Sequence, residues 1–424
     1  MKRILLLATT TGYQIRSFGE AADKLGVRLV FASDRCDRLD DPWWDQAIPV
    51  RFHDEAASVD AVLAQCKTTR IDGVIAVGDR PAVLAAGVAR ALGVPGNPPD
   101  AAAASRNKLA SRNAFRAAGM MTPATFEAVP LTSDPAAKVA TCRGYPLVIK
   151  PLALSGSRGV MRVDGQADFV AAFTRLGNLL HAIDVRSERD QAHDYVLIES
   201  FVPGREYAVE GVLTHGEFHM FAIFDKPDPL DGPFFEETIY VTPSRASEDT
   251  QRAITREIER AVRALGLRHG PVHAECRVNE AGVFVLEVAP RPIGGLCSRA
   301  VRLESRDGAA SLEEVLLRHA IGEDVSGYRQ ASRSSGVMMI PIPARGVFRG
   351  VSGVDDASAI VGIDDVRITA KADETLVPLP EGRSYLGFIF ASGEDGAIVE
   401  RALREAHARL RFSIDRALVI AATN

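Results

Sequence analysis

Little in this 424-residue chain marks it as secreted, membrane-bound or metal-caged. Its five cysteines, Cys36, Cys66, Cys142, Cys276 and Cys297, lie far apart with no CxxC pair. That spacing argues against a zinc cage or a disulfide framework and points to a reducing compartment. No run reaches the roughly 20 apolar residues of a membrane span. The apolar run at positions 4–8, after Lys2 and Arg3, is too short for the core of a secretory signal. Charge of one sign is equally scarce: 50 basic against 55 acidic side chains leave a net charge of -5, no global field for a polyanion. The GxGxxG fingerprint of dinucleotide binding is missing. These absences leave a cytoplasmic enzyme or binding protein that takes small molecules, with no nucleic acid and no membrane among its partners.

What is present is an ordinary globular composition, 46% hydrophobic and 25% charged, at a length that suits two or three domains. Residues 4–8 read as a buried strand broken by Thr9, Thr10, Thr11 and Gly12. A helix over 17–25 ends at Gly26, and a second strand covers 27–32. After Trp43 and Trp44 the pattern repeats, with a helix over 59–66, a strand over 73–77, a turn at Gly78-Asp79-Arg80-Pro81 and a helix over 83–92. This βαβ alternation implies a Rossmann-like parallel sheet with ligands outside the carboxyl ends of its strands. Asp79, at such an end, is suited to a substrate ammonium or to an ordinary helix cap. The segment Pro95-Gly96-Asn97-Pro98-Pro99 reads as a domain boundary.

The next stretch predicts a helix over 105–118, stopped by Gly119, whose Arg106, Lys108, Arg112 and Arg116 form a solvated basic face by default. A strand over 147–149 leads into Lys150 and the small-residue loop Ser155-Gly156-Ser157-Arg158-Gly159. Such a loop either brings backbone amides and Arg158 to anionic oxygens or is a plain hairpin. A strand over 195–198 then runs into Glu199, a bend at Val202-Pro203-Gly204, and Glu206. That bend either offers backbone to a flat heteroaromatic ring or simply joins two strands.

The sharpest pattern lies at 272–288. His273, Glu275 and Arg277 alternate on one face, Asn279-Glu280-Ala281-Gly282 is a tight turn, and Glu287 interrupts an apolar return strand. An antiparallel hairpin brings Glu275 and Glu287 onto one face. Two carboxylates so placed either hold Mg²⁺ between them or pair with Arg277 or Arg291. Arg291 follows on a proline-braced loop suited to gripping phosphate or carboxylate, and Gly294 and Gly295 come just after. The segment 225–238 is rich in turn formers and charges. It reads as a substrate loop in which Lys226 or Glu237 meets the acid or the amine, or as a solvated loop with Phe234 and Phe235 tucked inward. His273 is a candidate base or a structural histidine.

In order, Lys108, Pro146-Leu147-Val148-Ile149-Lys150-Pro151, the 155–159 loop, Glu199 to Glu206, Glu275 and Glu287-Val288-Ala289-Pro290-Arg291 resemble the ATP-grasp superfamily of carboxylate-amine ligases. The likeness runs over about residues 1–320 and is nearest the L-amino-acid ligase and biotin-carboxylase-like branches. Glutamate, arginine four residues on and then a glycine pair point to the amino-acid ligases. The resemblance implies a multidomain α/β and α+β fold: a Rossmann-like pre-ATP-grasp domain over 1–99, an ATP-grasp domain over 100–325 with a mobile lid at about 125–200, and a small α+β accessory domain over 326–424. That last domain would pack on the core or support a homodimer and carries no evident catalytic cluster.

The resemblance further implies ATP and Mg²⁺ (or Mn²⁺), with small-molecule carboxylate and amine substrates. Lys108, Lys150 and Ser155, Gly156, Ser157, Arg158 and Gly159 would hold the phosphates, Glu199 and Val202 the adenine through their main chain, and Glu206 the ribose. Glu275 and Glu287 would hold the metal and Arg291 the transferred phosphoryl group. The family often places Asn two residues after the second metal glutamate. This chain has Ala289 there, so either a water or a substrate oxygen replaces that ligand or the metal geometry differs. Gly294 and Gly295 leave the pocket wall bare, with room for a substrate larger than alanine. Rival readings are a biotin carboxylase-like or purine-pathway enzyme activating bicarbonate or formate, and a nucleotide-binding regulator without turnover.

Overall fold

The computed structural model describes residues 1–9, 14–34, 47–67, 69–142 and 144–416. Thr10, Thr11, Gly12, Cys36, Trp43 and Trp44 lie outside the described residues. Strands Ile48–Pro49, Arg28–Ser33, Arg3–Ala8 and Gly73–Val77 lie side by side in that order, all parallel, as βαβ alternation requires. Helix Ile15–Leu25 ends where Gly26 turns left-handed at φ 64°. The expected turn at 78–81 is instead the first turn of helix Asp79–Leu92, with Pro81 inside it. Proline is tolerated there because the first turn's N–H groups have no intrahelical acceptors.

The helix expected over 105–118 is two helices, Pro99–Arg106 and Lys108–Ala117. Asn107 breaks the first by turning extended, and its side chain caps the second by accepting from Leu109 and Ala110 N–H. The break rotates Lys108 and Arg112 inward. Their exposure falls to 7% and 0%, so the solvated basic face is not formed.

Strands Phe126–Pro130, Tyr195–Ser200, Leu147–Pro151 and Met161–Val163 form a separate antiparallel sheet in that order. Helix Gln166–Leu180 covers it through Phe169, Phe173 and Leu176. The largest sheet has eight strands. It starts at Gly282–Ala289 and passes through Gly270–Asn279, Arg205–Thr214, Glu217–Asp225 and Ile239–Thr242 to Ser334–Ile340, Gly387–Gly393 and Ile363–Ile368. Strands before and after residue 326 thus share one hydrogen-bonded sheet. Helix Glu248–Leu265 buries its stripe of Ile254, Ile258, Ala261, Val262 and Leu265 against one part of it. Helix Gly396–Arg409 covers the far end. The N-terminal sheet docks through helix Leu312–Ala320, whose Val315, Leu316 and Leu317 join Ile4, Leu6 and Phe18 in one core.

Candidate active site

A cavity of about 310 Å³ opens between the small antiparallel sheet and the eight-stranded one, within the size range of small-molecule sites. Its lining includes Lys108, Lys150, Ser155, Gly156, Ser157, Glu199, Val202, Glu206, Glu237, His273, Glu275, Glu287, Arg291, Gly294 and Gly295. Residues that are scattered over nearly 190 positions of sequence therefore converge on one space. Arg158 and Gly159 do not line it: Arg158 donates to Asp184 at 2.8 Å and to the Glu381 carbonyl at 2.9 Å, and the Gly159 N–H to the Pro380 carbonyl. The phosphate-facing role expected of those two is not what their contacts support.

The floor is written by strand register. Across three neighbouring strands, Glu210 pairs with His273, Glu275 with Glu287, and Glu206 with Arg277. Alternation puts Glu206 and Glu210 on one face of their strand, as it does His273, Glu275 and Arg277 on theirs. The predicted meeting of Glu275 and Glu287 is therefore met as a directly opposed cross-strand pair. Neither carboxylate pairs with Arg277 or Arg291. Lys226 lies 3.2 Å from Glu275, and Lys108 lies 3.3 Å from Glu287.

Lys226 is buried and also contacts Glu206 at 2.8 Å and Glu237 at 2.6 Å. Burial alone would lower its pKa, but the carboxylates around it raise it well above the usual lysine value. Oxygens of Glu206, Glu237 and Glu275 lie within 4.8 Å of one another, so this floor concentrates hard anionic donors. Glu275 and Glu287 both line the cavity, and carboxylate oxygens of this kind suit a divalent cation such as Mg²⁺. Ala289, opposite His273, offers no side-chain ligand. Burial pushes the Glu237 carboxyl up to about 7, against the pull of Lys226, and the Tyr240 hydroxyl donates to it at 2.7 Å.

His273 is held on both sides. Its Nδ1 meets the Glu210 carboxylate in a short contact, and its Nε2 lies 3.5 Å from Glu275. Burial would lower its pKa, but the Glu210 charge and hydrogen bond outweigh that and raise it to about 9. With a carboxylate against each ring nitrogen, the surroundings of His273 favour the protonated ring. Glu210 also accepts the Ile293 N–H at 3.2 Å and so ties the sheet to the arginine loop.

Beside the small-residue loop, Lys108 donates to the Leu154 carbonyl at 2.7 Å, bracing the loop that follows. Gly156 and Ser157 both take left-handed conformations, at φ 63° and 55°, which only a small-residue run adopts at low cost. Lys150 contacts Glu199, and Arg112 grips the same carboxylate through Nε at 3.0 Å and a terminal nitrogen at 3.3 Å. Burial, opposed by Glu199, leaves Lys150 titrating at about 8, and the two cations hold Glu199 at about 2 despite its burial. The Glu199 side chain is thus consumed internally. Arg277 packs over Phe201 and Phe235, at 5.1 and 5.6 Å from the ring centres, and donates to the Val202 carbonyl at 2.8 Å. Val148, Val160, Phe201 and Phe235 give this end an apolar slot. Phe235 is tucked inward, as one reading of its loop required.

Arg291 reaches across to the first domain. Its Nε donates to Asp79 at 2.8 Å, a terminal nitrogen to the same carboxylate at 3.4 Å, and the other to the Pro292 carbonyl at 3.0 Å. Asp79 is therefore Arg291's partner and not a bare ammonium receptor; burial notwithstanding, Arg291 holds it at about 2. The remaining wall comes from Ile293, Cys297, Met339, Tyr385 and Phe388, with Arg383 and Ser384 at the rim. Much of it belongs to the C-terminal segment, in which the sequence showed no evident catalytic cluster. Sequence reasoning also missed Arg112 and Glu210. For Glu210 a signal existed, a charge two positions from Ala208 and four from Glu206 within an apolar strand. For Arg112 none did.

Family models match three successive parts of the chain: an ATP-grasp N-terminal domain over residues 19–96, an ATP-grasp domain over 143–300, and an L-amino acid ligase C-terminal domain over 338–415. The crystal structure of L-amino acid ligase from Bacillus licheniformis superposes with a TM-score of 0.82 at 26% identity, covering 98% of this chain and 99% of that one. Alanine–anticapsin ligase of Bacillus amyloliquefaciens is 30% identical over 219 residues, 48% of this chain and 44% of its own length. Carnosine synthase 1 of Gallus gallus is 31% identical over 161 residues, 37% of this chain and 17% of its own. The matched region spans less than half the length of these last two relatives.

Proposed function

Since this chain belongs to the ATP-grasp superfamily of carboxylate-amine ligases and is an enzyme of the C–N bond-forming kind, we propose that it joins an acid to an amine, with amino acids as the substrates, at the expense of ATP. The observation that carries this reading is the opposed pair Glu275 and Glu287 on the cavity floor, with Lys108, Lys150 and Arg291 aimed into the same space. Phosphoryl transfer needs positioned, spread-out positive charge more than a protein nucleophile. The substrate carboxylate oxygen attacks the γ-phosphorus of ATP and ADP leaves. The amine nitrogen then attacks the acyl carbon of the acyl phosphate, inorganic phosphate departs, and the amine gives up a proton.

In this scheme Lys108 and Lys150 grip phosphate oxygens, and the amides of the 155–157 loop cover them. The Val202 N–H and the strand around Glu199 face the adenine in the slot of Phe201 and Phe235, while Glu206 accepts ribose hydroxyls. Glu275 and Glu287 would hold Mg²⁺ or Mn²⁺, which when bound would supply charge compensation to the phosphate oxygens. Arg291 still has one N–H on each terminal nitrogen free of Asp79 and Pro292, a forked edge for the transferred phosphoryl group. The His273 imidazolium holds Glu210 and Glu275 in place. Glu237, poised near pH 7, takes the amine's proton. Gly294, with nothing within 4 Å of where a Cβ would stand, leaves room for a substrate larger than alanine, whereas Gly295 turns left-handed at φ 63° with the Phe388 ring packed where its Cβ would be. The proposed units are 1–99, 100–325 with a lid at about 125–200, and 326–424, in a homodimer in the cytoplasm.

The test is phosphate release from Mg·ATP against single and paired amino acids, with ADP and AMP separated by chromatography. Stimulation by a pair with ADP as product supports the reading and names the substrates. AMP as the product would replace it with adenylation, and stimulation by bicarbonate alone would move it to the carboxylase class. Glu287→Ala should lower turnover at least a hundredfold while leaving the thermal midpoint within a few degrees, since Glu287 is a quarter exposed; unchanged Mg²⁺ dependence would remove it from the metal site.

A further inference from the structure

The loop between strands Thr375–Leu376 and Gly387–Gly393 touches both the lid and the cavity. Gly382 lets it fold back on itself: a Cβ there would lie 1.9 Å from the Val377 carbonyl, and the Gly382 N–H donates to the Pro378 carbonyl at 2.9 Å. The tight bend presents two backbone carbonyls and one carboxylate to the phosphate loop and to the lid helix. The Gly159 N–H donates to the Pro380 carbonyl at 2.8 Å, and Arg158 Nε to the Glu381 carbonyl at 2.9 Å. The Glu381 carboxylate receives the fork of Arg175, on lid helix Gln166–Leu180, through Nε and through a terminal nitrogen at 2.9 Å. The next residues, Arg383, Ser384 and Tyr385, line the cavity.

We propose that residues 378–385 are a latch that holds the phosphate loop shut, with Glu381 and Arg175 as its positioning pair, and that the same loop senses whether the acid or amine end of the cavity is filled. This inference rests on the reading that the 155–157 loop covers nucleotide phosphates. Its physical content is geometric. Lid residues 158, 159 and 175 bond to one bend, and that bend carries the wall residues Ser384 and Tyr385 a few positions on. A substrate that packs on Tyr385 fixes the bend, and a fixed bend presents its acceptors to the lid. Linkage makes the effect reciprocal, so a closed lid also favours substrate in the pocket. Arg158, at the tip of the small-residue loop, thereby has a function as the lid's side of the latch, fastened also to Asp184 at 2.8 Å.

The experiment measures release of a fluorescent ADP derivative, bound with Mg²⁺ to the full chain, by stopped flow. Glu381→Gln and Arg175→Met should each speed release about three- to tenfold, the scale of a partly exposed forked ion pair. The double variant should release no faster than the faster single one, and Arg175→Lys should recover part of the loss. In turnover, the KM for ATP should rise by a larger factor than kcat changes, with thermal midpoints unchanged. Release at the wild-type rate in both single variants, or single effects that multiply in the double, would overturn the latch while leaving the nucleotide site standing. No binding of the probe by the wild-type chain would remove the nucleotide reading and the latch together.

Discussion

Arg291 has five N–H groups, and three are committed inside the protein: two to Asp79 and one to the Pro292 carbonyl. That commitment makes the guanidinium a fixed tool, because a side chain held on one edge can present only the other. Asp79→Asn keeps the shape of the pair and removes the charge. It should lower kcat about a hundredfold, the typical cost of an angstrom of misplacement at a reacting centre, and should raise KM less. A kcat within twofold of wild type would show that Arg291 needs no anchor. His273 yields a different prediction. Its pKa rises from 6.5 to about 9 in the fold, so the folded state binds the proton more tightly than the unfolded chain. The pair with Glu210 therefore contributes its full stability below pH 6.5 and loses it as pH climbs through 9. Denaturant midpoints of wild type and His273→Gln should converge between pH 7 and 10. Parallel curves would mean that His273 is neutral in the fold.

At the scale of elements, register rather than composition assembles the site. Pairing of Arg205–Thr214, Gly270–Asn279 and Gly282–Ala289 places three charged rows on one sheet face, and a slip of one residue would turn all of them away. The short helix Lys108–Ala117 acts as a bolt across this sheet. From one turn it sends Lys108 to Glu287 and the Leu154 carbonyl, and from the next it sends Arg112 to Glu199 and the Leu286 carbonyl. Arg112 is wholly buried, so replacing it by Met leaves Glu199 with Lys150 alone. The expected loss is about 3–5 kcal/mol, the usual result of breaking a buried ion pair on one side, read as a fall in denaturant midpoint. A loss under 1 kcal/mol would mean that Lys150 by itself satisfies Glu199. Hydrophobic periodicity announced the strands and the long helix Glu248–Leu265 well. It misplaced the Lys108 helix, because an arginine that is buried by a partner 87 positions away looks the same in sequence as one that faces water.

At the scale of the whole molecule, the chain is held together by contacts between segments that composition would have kept separate. The N-terminal sheet meets helix Leu312–Ala320 where Gly73 lies against the Ala320 carbonyl, so close that a Cβ would stand 2.1 Å from that oxygen. Gly73→Val should therefore push the N-terminal sheet off its seat, carrying Asp79 away from Arg291. The expected result is a lower thermal midpoint together with loss of turnover, whereas loss of neither would mean that the two parts are joined elsewhere. The C-terminal segment makes the same point from the other end. Its strands extend the sheet that carries the glutamates, and its Tyr385 and Phe388 wall the cavity.

The sequence by itself determined the local matters: the parallel βαβ start, the small-residue loop after Lys150, the hairpin that opposes Glu275 to Glu287, and the order of motifs that marks the family. Each depends on neighbours within one or two elements, where spacing and turn chemistry leave few alternatives. Only the tertiary structure decided that His273 sits between Glu210 and Glu275, that Asp79 belongs to Arg291, that Arg112 is buried, that Arg158 turns to the C-terminal loop and that the last hundred residues build part of the cavity. Those outcomes depend on which groups meet across 63 to 223 positions and how far burial shifts them, and neither quantity is written in any local pattern.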